Sequence, residues 1–522
     1  MKKTAKRVVA LMLAMIMVMS MVACKKDDEK SKTTTAGSGE VAKPQKITVM
    51  WDNTIVAEDN GGKDFAKALE TALGMTIDFK RPVHSAYYDV LQTSFVSNEV
   101  PDVFVLAANY YAQYASTGSL WNMEEAWNKS ELKASGRLEQ WAIDMIAGLK
   151  TSGKAGAEGI YGFNLTRGNG CVTYVRTKWL EECGYKADGS EIKTYDDYYQ
   201  MCVKFKEKYN IAPVCASKYL NTEAPYTNYL PEFYQGAYPD FYKNAEGKWV
   251  DGFSEDAMKK ALKRLQDANN AGLLDPDMGS ATTTDAREGF YAEEHGVFTY
   301  WAGTWAQTII DKLASKGHAD TRVTALKPIA EVGKYVERQA PVVAIYSRCE
   351  NPEGVFKYFI EPIYDGAEVQ ALWTYGVKGV HWDDKAETIT LNGKDSVYAA
   401  GEFHFLLDPA TSKSFMKKNH IDPLLSMGKF IEGKDPAATA AKPIVSEKAQ
   451  EVMAMFNVNC KNAPVIVSTS TVTENSAKIW ACRNELVTKI VAQNMNVDDA
   501  MKEYTETVGT EVTKCLESLN DQ

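Results

Sequence analysis

The chain has 522 residues, of which 45% are hydrophobic and 25% charged, and its formal net charge at pH 7 is −10. This composition is typical of a soluble globular protein, and the length exceeds what one hydrophobic core usually holds, so we expect two domains. The acidic balance argues against nucleic acid as a partner, because binding to phosphates needs a basic surface. It also argues against a highly anionic polymer as ligand.

The first 23 residues have the form of an export signal. Four cations precede an apolar stretch, Val8 to Met19, that is too short to cross a membrane as a helix. The next residues, Met21 to Cys24, resemble the lipobox of bacterial lipoproteins, in which the cysteine becomes the acylated first residue of the mature chain. We therefore expect residues 1–23 to be a lipoprotein signal peptide and Cys24 to carry lipid. The alternative is an ordinary signal that is cleaved elsewhere.

Residues 24–45 have the composition of a flexible tether. They are rich in Lys, Asp, Ser, Thr and Gly, and such a segment buries too little apolar surface to become ordered. No later segment has the length and apolarity of a membrane span, so lipid would be the only anchor. The chain after residue 23 has 55 Lys and Arg against 69 Asp and Glu, a net charge of −14.

Strand and helix patterns alternate after the tether. We predict strands at 46–51, 75–79 and 102–106, with helices at 64–73 and 87–96 between them. Gly74 follows the first helix, as is typical of a helix C-terminus. The β-α-β-α-β order predicts a parallel sheet that is covered by helices on both faces.

The pattern changes near residue 161 and becomes more helical. Extended segments lead into a helix that is stopped by Gly184, and Thr194 is placed to cap a helix over 195–209. Further helices are predicted at 255–272, 477–493 and 498–519. We assign 46–160 and about 285–350 to a first lobe, and 161–284 and about 351–522 to a second, with several crossovers between them.

Eight cysteines follow Cys24, and their spacing gives no metal or redox motif. None forms a C-x-x-C pair, so we expect buried free thiols or occasional bridges, with no zinc site and no cofactor.

The order of several loose motifs resembles the extracellular solute-binding lipoproteins of ABC importers, especially the longer alginate- and oligosaccharide-binding members. The motifs are the lipobox, KITVMW, VPDVFVLAANYYAQYASTGSLWNM, TYVRTKWLEECGY, REGFYAEEHGVFTYWAG and LWTYGVKGVHW. The resemblance implies an α/β, two-lobed periplasmic-binding-protein-like fold, each lobe a mostly parallel sheet flanked by helices. It also implies a monomer that captures a carbohydrate between the lobes and delivers it to a membrane permease. Some alginate-binding relatives have a calcium loop, but Asn210 to Tyr219 lacks its carboxylate spacing, so no calcium is expected here.

Ligands of doubly wound sheets bind beyond the carboxyl ends of the strands, which selects candidate contact residues. A sugar places its C–H face on an aromatic ring and its hydroxyls on directed hydrogen bonds, so aromatic and polar side chains at strand ends are favoured. Arg176 could hold a sugar oxygen or form a structural salt bridge, and Asn164 could be a hinge residue. The predicted ligand contacts are Trp51, Asp52, Asn109, Tyr110, Asn164, Arg176, Tyr226, Trp301, Trp305, Trp373 and Tyr375.

For the aromatic run at 297–307, the alternative is packing in the core, which we favour for Tyr300. Few charges are grouped near these aromatic residues, so the pattern favours a neutral oligosaccharide.

The sequence has no H-E-x-x-H, G-x-S-x-G, Walker A or dinucleotide glycine motif, and we expect binding without catalysis. The sequence leaves open a pair of carboxylates for glycoside hydrolysis, and Glu293 and Glu294 are the candidates. Two alternatives therefore remain: a surface-anchored glycoside hydrolase or polysaccharide lyase, and a peptide-binding protein of the same fold.

Overall fold

The computed structural model describes residues 41–51, 60–83, 86–154, 157–220, 227–233, 236–391, 394–406, 421–438, 445–463 and 468–521. Ala42–Gln522 forms one compact unit. The predicted signal peptide, Cys24 and the tether up to residue 40 lie outside the described residues, as do Asp52 and Tyr226.

The strands are β1 Lys46–Met50, β2 Thr76–Lys80, β3 Val103–Leu106, β4 Lys150–Ser152, β5 Glu158–Ile160, β6 Phe163–Asn164, β7 Cys171–Arg176, β8 Val214–Cys215, β9 Phe241–Lys243, β10 Trp249–Asp251, β11 Val297–Trp301, β12 Val323–Ala325, β13 Tyr335–Glu337, β14 Val342–Ile345, β15 Trp382–Asp383, β16 Glu387–Leu391, β17 Lys394–Tyr398, β18 His404–Phe405 and β19 Cys460–Asn462.

The α-helices are α1 Gly62–Leu73, α2 Tyr87–Ser97, α3 Ala108–Ser116, α4 Glu124–Lys129, α5 Glu131–Ala134, α6 Gln140–Ala147, α7 Thr177–Glu182, α8 Tyr195–Tyr209, α9 Asp256–Asn270, α10 Thr283–Tyr291, α11 Thr304–Ser315, α12 Pro352–Val355, α13 Glu368–Tyr375, α14 Glu447–Asn459, α15 Ser470–Gln493 and α16 Val497–Asn520. Shorter helical turns cover Thr227–Tyr229, Gly252–Ser254, Phe356–Ile360 and Glu361–Tyr364.

The first lobe is built on a five-stranded sheet of order β2-β1-β3-β14-β6. β1 pairs in parallel with β2 and β3, whereas β14 is antiparallel to β3 and β6, so four of the five strands run in one direction. The predicted β-α-β-α-β order of the first strands and helices is confirmed.

The second lobe is built on a four-stranded sheet of order β12-β7-β11-β8. β7 is antiparallel to β11 and β12, and β11 is parallel to β8, so three of the four strands share a direction. Both sheets are mixed, whereas the resemblance implied mostly parallel sheets: two of the four strand pairings in the first sheet and one of the three in the second are parallel. Thr194 caps α8 as predicted, with Asp197 completing a capping box.

The predicted lobe boundaries after residue 285 are wrong in two places. β11 and β12 fall in the segment assigned to the first lobe, yet both pair with β7 in the second sheet. Conversely, Val355 and Trp373, assigned to the second lobe, pack in the core of the first sheet. A short apolar strand can pair in either sheet, and an apolar helix can pack on either. The local sequence pattern therefore does not determine the lobe to which such an element belongs.

The last two helices pack in the core of the second lobe. Leu486 of α15 and Tyr504 of α16 pack in one core with Phe205 of α8 and Leu262 of α9. Residues near the end of the chain therefore support the lobe whose sheet begins near residue 171.

Three chain segments connect the lobes. The first, 165–170, joins β6 to β7; the second, 326–341, joins β12 to β14; the third, 421–428, bridges to the first segment between Thr166 and Ser426. The first two segments approach closely at Gly168, where an added Cβ would lie 1.5 Å from the carbonyl oxygen of Arg338. Only glycine fits that contact.

All eight cysteines in the described part of the chain are free thiols. Within the same residues no group of three or more His, Cys, Asp or Glu side chains is arranged to hold a metal ion. None of the described helices combines the length and apolarity that a bilayer-spanning helix needs.

Candidate ligand-binding cleft

A cleft of about 680 Å³ is lined by residues of both lobes. The first lobe contributes Ala107 and Ala108, directly after the carboxyl end of β3, and Pro341 before β14. The second lobe contributes most of the lining, including five aromatic residues: Tyr229, Tyr238, Tyr242, Trp301 and Trp480. The cleft therefore lies where strand-end reasoning places a ligand, beyond the carboxyl end of a parallel strand.

Trp301 lines the cleft and is held by its surroundings. It is the last residue of β11, and its carbonyl accepts a 2.8 Å hydrogen bond from the Tyr174 hydroxyl. Its ring centroid lies 6.4 Å from that of Tyr229 and 4.5 Å from the guanidinium carbon of Arg338. A half-buried ring with fixed neighbours offers a flat apolar surface to a ligand.

β13, the short strand within the second crossover, has two distinct faces. Lys334, Val336 and Arg338 line the cleft, whereas Tyr335 and Glu337 between them are buried. This alternation is the period of a β-strand. The buried Glu337 carboxylate accepts a 2.8 Å hydrogen bond from Arg167 on the first crossover. Sequence reasoning missed this strand, because a three-residue strand with one buried glutamate gives no clear apolar pattern.

A buried arginine supports another part of the cleft wall. Asp240 lines the cleft, and its carboxylate accepts a 2.9 Å hydrogen bond from Arg483 of α15, which is 0% exposed. The same guanidinium donates to Asp251 at 2.9 Å and to the Tyr504 hydroxyl at 3.1 Å. Arg483 thus ties the wall at 238–243 to the C-terminal helices.

A buried carboxyl lies three residues after the aromatic Tyr229. Glu232 is 1% exposed, and burial raises its pKa to about 7 against the pull of Arg264, which acts in the opposite direction. The folded protein therefore holds a protonated carboxylic acid there at mildly acidic pH.

Three predicted contact residues are core residues instead. Trp51 and Trp373 are 1% and 0% exposed, and their ring centroids are 5.1 Å apart. Phe65 packs edge-on against Trp373 at 5.1 Å. Tyr375 is also buried and packs against Phe403. Trp51 follows β1, whereas Trp373 and Tyr375 belong to α13, and none of the three is among the described lining residues of the cleft.

Two more predicted contacts hold the fold together. Arg176 is buried, forms a 2.7 Å ion pair with Glu293 and donates to the carbonyl of Phe290 at 2.8 Å. The structure thus has the salt bridge that was the alternative to a ligand contact of Arg176. Asn164 is buried in β6 and its amide donates to the carbonyl of Ala340 on the second crossover at 3.4 Å.

Trp305 and Tyr110 lie near the cleft but are not among its described lining residues. Trp305 of α11 packs edge-on against Tyr300 at 4.7 Å, and the buried Tyr300 is a core residue as expected. Tyr110 of α3 stacks on Tyr88 at 3.7 Å, two residues after Ala108 of the lining. Asn109 lies in the first turn of the same helix.

The two-lobed α/β fold with a cleft between sheets defines a solute-binding protein. The chain belongs to the bacterial extracellular solute-binding protein family, which its residues 57–360 match. No curated protein matches the sequence.

Several solved structures share the fold over most of the chain. An alginate-binding protein is 17% identical, with 92% of this chain and 98% of that chain covered and a TM-score of 0.61. An N-glycan transport solute-binding protein from Streptococcus pneumoniae is 18% identical, with the same coverage and a TM-score of 0.60. A solute-binding protein from Bifidobacterium longum infantis is 14% identical, with 91% and 98% covered and a TM-score of 0.60. At these identities the likeness concerns the fold.

Proposed function

We propose that this protein is the extracytoplasmic, lipid-anchored solute-binding component of an ABC importer. It captures an oligosaccharide between its two lobes and hands it unaltered to the membrane permease. The observation that carries the proposal is the cleft between Ala107 and Ala108 of the first lobe and Trp301 of the second, lined by five aromatic residues.

The chemistry of the lining suits a carbohydrate. Aromatic rings accept the C–H faces of sugar rings, and amide side chains exchange hydrogen bonds with hydroxyls. The cleft provides both, because Asn228, Gln339 and Asn484 line it beside the rings. Its volume of about 680 Å³ falls within the range of small-molecule sites.

The related structures support the same ligand class. They are an alginate-binding protein and an N-glycan transport solute-binding protein, and their fold covers about nine-tenths of this chain. Binding between hinged lobes also gives a bound and an unbound conformation that a permease can distinguish.

The carboxylates near the cleft favour binding over hydrolysis. Glycoside hydrolysis uses two carboxyl groups on either side of the scissile bond. Among the described lining residues Asp240 alone has a carboxylate, and it accepts a hydrogen bond from Arg483. Glu293, one of the two candidates from the sequence, is paired with Arg176.

The anchor is proposed from the lipobox-like sequence that ends at Cys24. Mass spectrometry of the protein from membranes should find a diacylglyceryl-modified Cys24, and Cys24→Ser should release the protein from the membrane. A wild-type protein that is cleaved elsewhere and lacks lipid contradicts the anchor and leaves the ligand proposal intact.

Calorimetry over a panel of oligosaccharides and peptides tests the ligand. We expect saturable binding of at least one oligosaccharide, with the sugar recovered intact by mass spectrometry. Cleavage products would support the hydrolase or lyase alternative, and tight binding of peptides alone would support the peptide alternative.

A further inference from the structure

The cleft has an excess of positive charge on an acidic protein. Lys243, Lys334, Arg338 and Lys461 line it, against one described carboxylate, that of Asp240. The whole chain has a formal net charge of −10. The cationic lining is therefore a local feature, opposite in sign to the average surface.

The one described carboxylate of the lining does not neutralise the three lysines. Asp240 is paired with the buried Arg483 at 2.9 Å, and that arginine also pairs with Asp251. In the described part of the chain, Lys243, Lys334 and Lys461 are exposed and have no ion-pair partner. Their charges are available to a ligand.

The fold fixes the backbone positions of three of these cations. Lys334 and Arg338 flank β13 and lie on its cleft face, while Lys461 of β19 is in register with Val336 between them. Arg338 is held by its Nε–H, which donates to Gly168 at 2.9 Å, and by its contact with Trp301. Four residues of extended strand span about 13 Å, so these cations are spread along the cleft wall.

We propose that the oligosaccharide is acidic and carries anionic groups, carboxylates or sulfates, that pair with Lys334 and Lys461 while a sugar ring lies on Trp301. This inference rests on the proposed function and names its substrate class. It replaces the neutral ligand that the sequence favoured, because the cations of the cleft come from three segments that lie about 90 residues or more apart along the chain.

The test compares matched acidic and neutral glycans. Uronic-acid tetrasaccharides of several linkages are titrated beside their carboxyl-reduced products, and sulfated oligosaccharides beside their desulfated counterparts, with the full-length folded protein. We expect the acidic member of a bound pair to bind about tenfold tighter or more. Raising NaCl from about 20 mM to about 500 mM should weaken only the acidic ligand, because salt screens exposed charges.

Variants assign the effect to the row of cations. Lys334→Gln and Lys461→Gln should each weaken the acidic ligand by about two- to fivefold. Lys334→Arg should restore binding, since it keeps the charge. Lys260→Gln, at an exposed lysine of α9 outside the cleft, is the matched control and should change nothing.

The outcomes separate the two proposals. If neutral glycans bind as well as their acidic partners or better, the acidic ligand is wrong and the oligosaccharide-binding function stands. Acidic binding that is indifferent to salt and to both lysine variants also overturns the inference. If no glycan of the panel binds, the proposed function and this inference fall together.

Discussion

The guanidinium carbon of Arg338 lies 4.5 Å from the centroid of the Trp301 ring. The same arginine donates its Nε–H to the carbonyl of Gly168 in the first crossover. The side chain of Arg338 therefore contacts both the Trp301 ring in the cleft and the first crossover between the lobes. Cation–π contact and hydrogen bond together hold the ring in place before a ligand arrives.

Trp301→Ala should weaken oligosaccharide binding by about 1–3 kcal/mol, because it removes the stacking surface in the cleft. Calorimetry measures the loss, and thermal unfolding confirms that the variant is folded. Trp305→Ala is the matched control, since Trp305 is a half-buried tryptophan in the next helix and is not a described lining residue. Equal weakening by both changes, or none by Trp301→Ala, would place the site elsewhere.

Trp373→Ala should act on stability. Trp373 is fully buried against Trp51 and Phe65, so its truncation should lower the free energy of unfolding by about 3–5 kcal/mol. Denaturant titration measures the change. Trp373→Phe keeps an aromatic ring and should lower the free energy of unfolding by less. The ligand affinity of this variant should equal that of the wild type. A weakened affinity in a fully folded Trp373→Phe protein would argue for a direct role in binding.

Arg483→Met should destabilise the protein strongly. Removing the guanidinium leaves the buried Asp251 carboxylate without its cationic partner, which typically lowers the free energy of unfolding by about 3–5 kcal/mol. Lys478→Met on the same helix is the control: it removes an exposed ion pair with Glu511 and should change stability by about 1 kcal/mol or less. Denaturant titration measures the free energy of unfolding of both variants. Similar losses in the two would contradict the structural role of Arg483.

Stability should depend on pH through Glu232. Burial raises its folded pKa to about 7, above the value of 4.5 for an ordinary glutamate, so the folded state keeps a proton that the unfolded state releases. Its favourable contribution is fully present below pH 4.5 and is lost as pH rises through about 7. The loss is on the order of 2–3 kcal/mol.

The experiment compares the free energy of unfolding between pH 5 and pH 8 in wild type and Glu232→Gln, which cannot ionise. The wild-type value should fall relative to that of the variant as pH rises. Glu246→Gln, at an exposed site of the same lobe, should follow the wild type. Parallel curves for Glu232→Gln and wild type would show that Glu232 is ionised in the folded protein at pH 5.

Features set by neighbouring residues were predictable from the sequence. The first three strands with their helices follow from periodicity and from Gly74, and Thr194 caps its helix because Asp197 is three residues away. The position of Trp301 beside the cleft was predictable because the end of an apolar strand can be recognised from neighbouring residues in the sequence.

Features set by distant contacts were not predictable. Trp373 has the same aromatic surroundings in sequence as Trp301, yet it is buried because α13 packs on Phe65 and Trp51, some 300 residues earlier. Lys334 and Lys461 lie close together because β13 pairs with β19, and no local sequence pattern predicts that pairing.

The link between Asp240 and Arg483 also has a consequence for biogenesis. The two residues are 243 positions apart, so a ribosome makes the aspartate long before the guanidinium that fixes it. β9 pairs with β10 near Asp240, but the contact with Arg483 can form only once α15 has been synthesised and has docked. A chain interrupted before residue 483 would therefore have the sheet of the second lobe but an incomplete cleft wall.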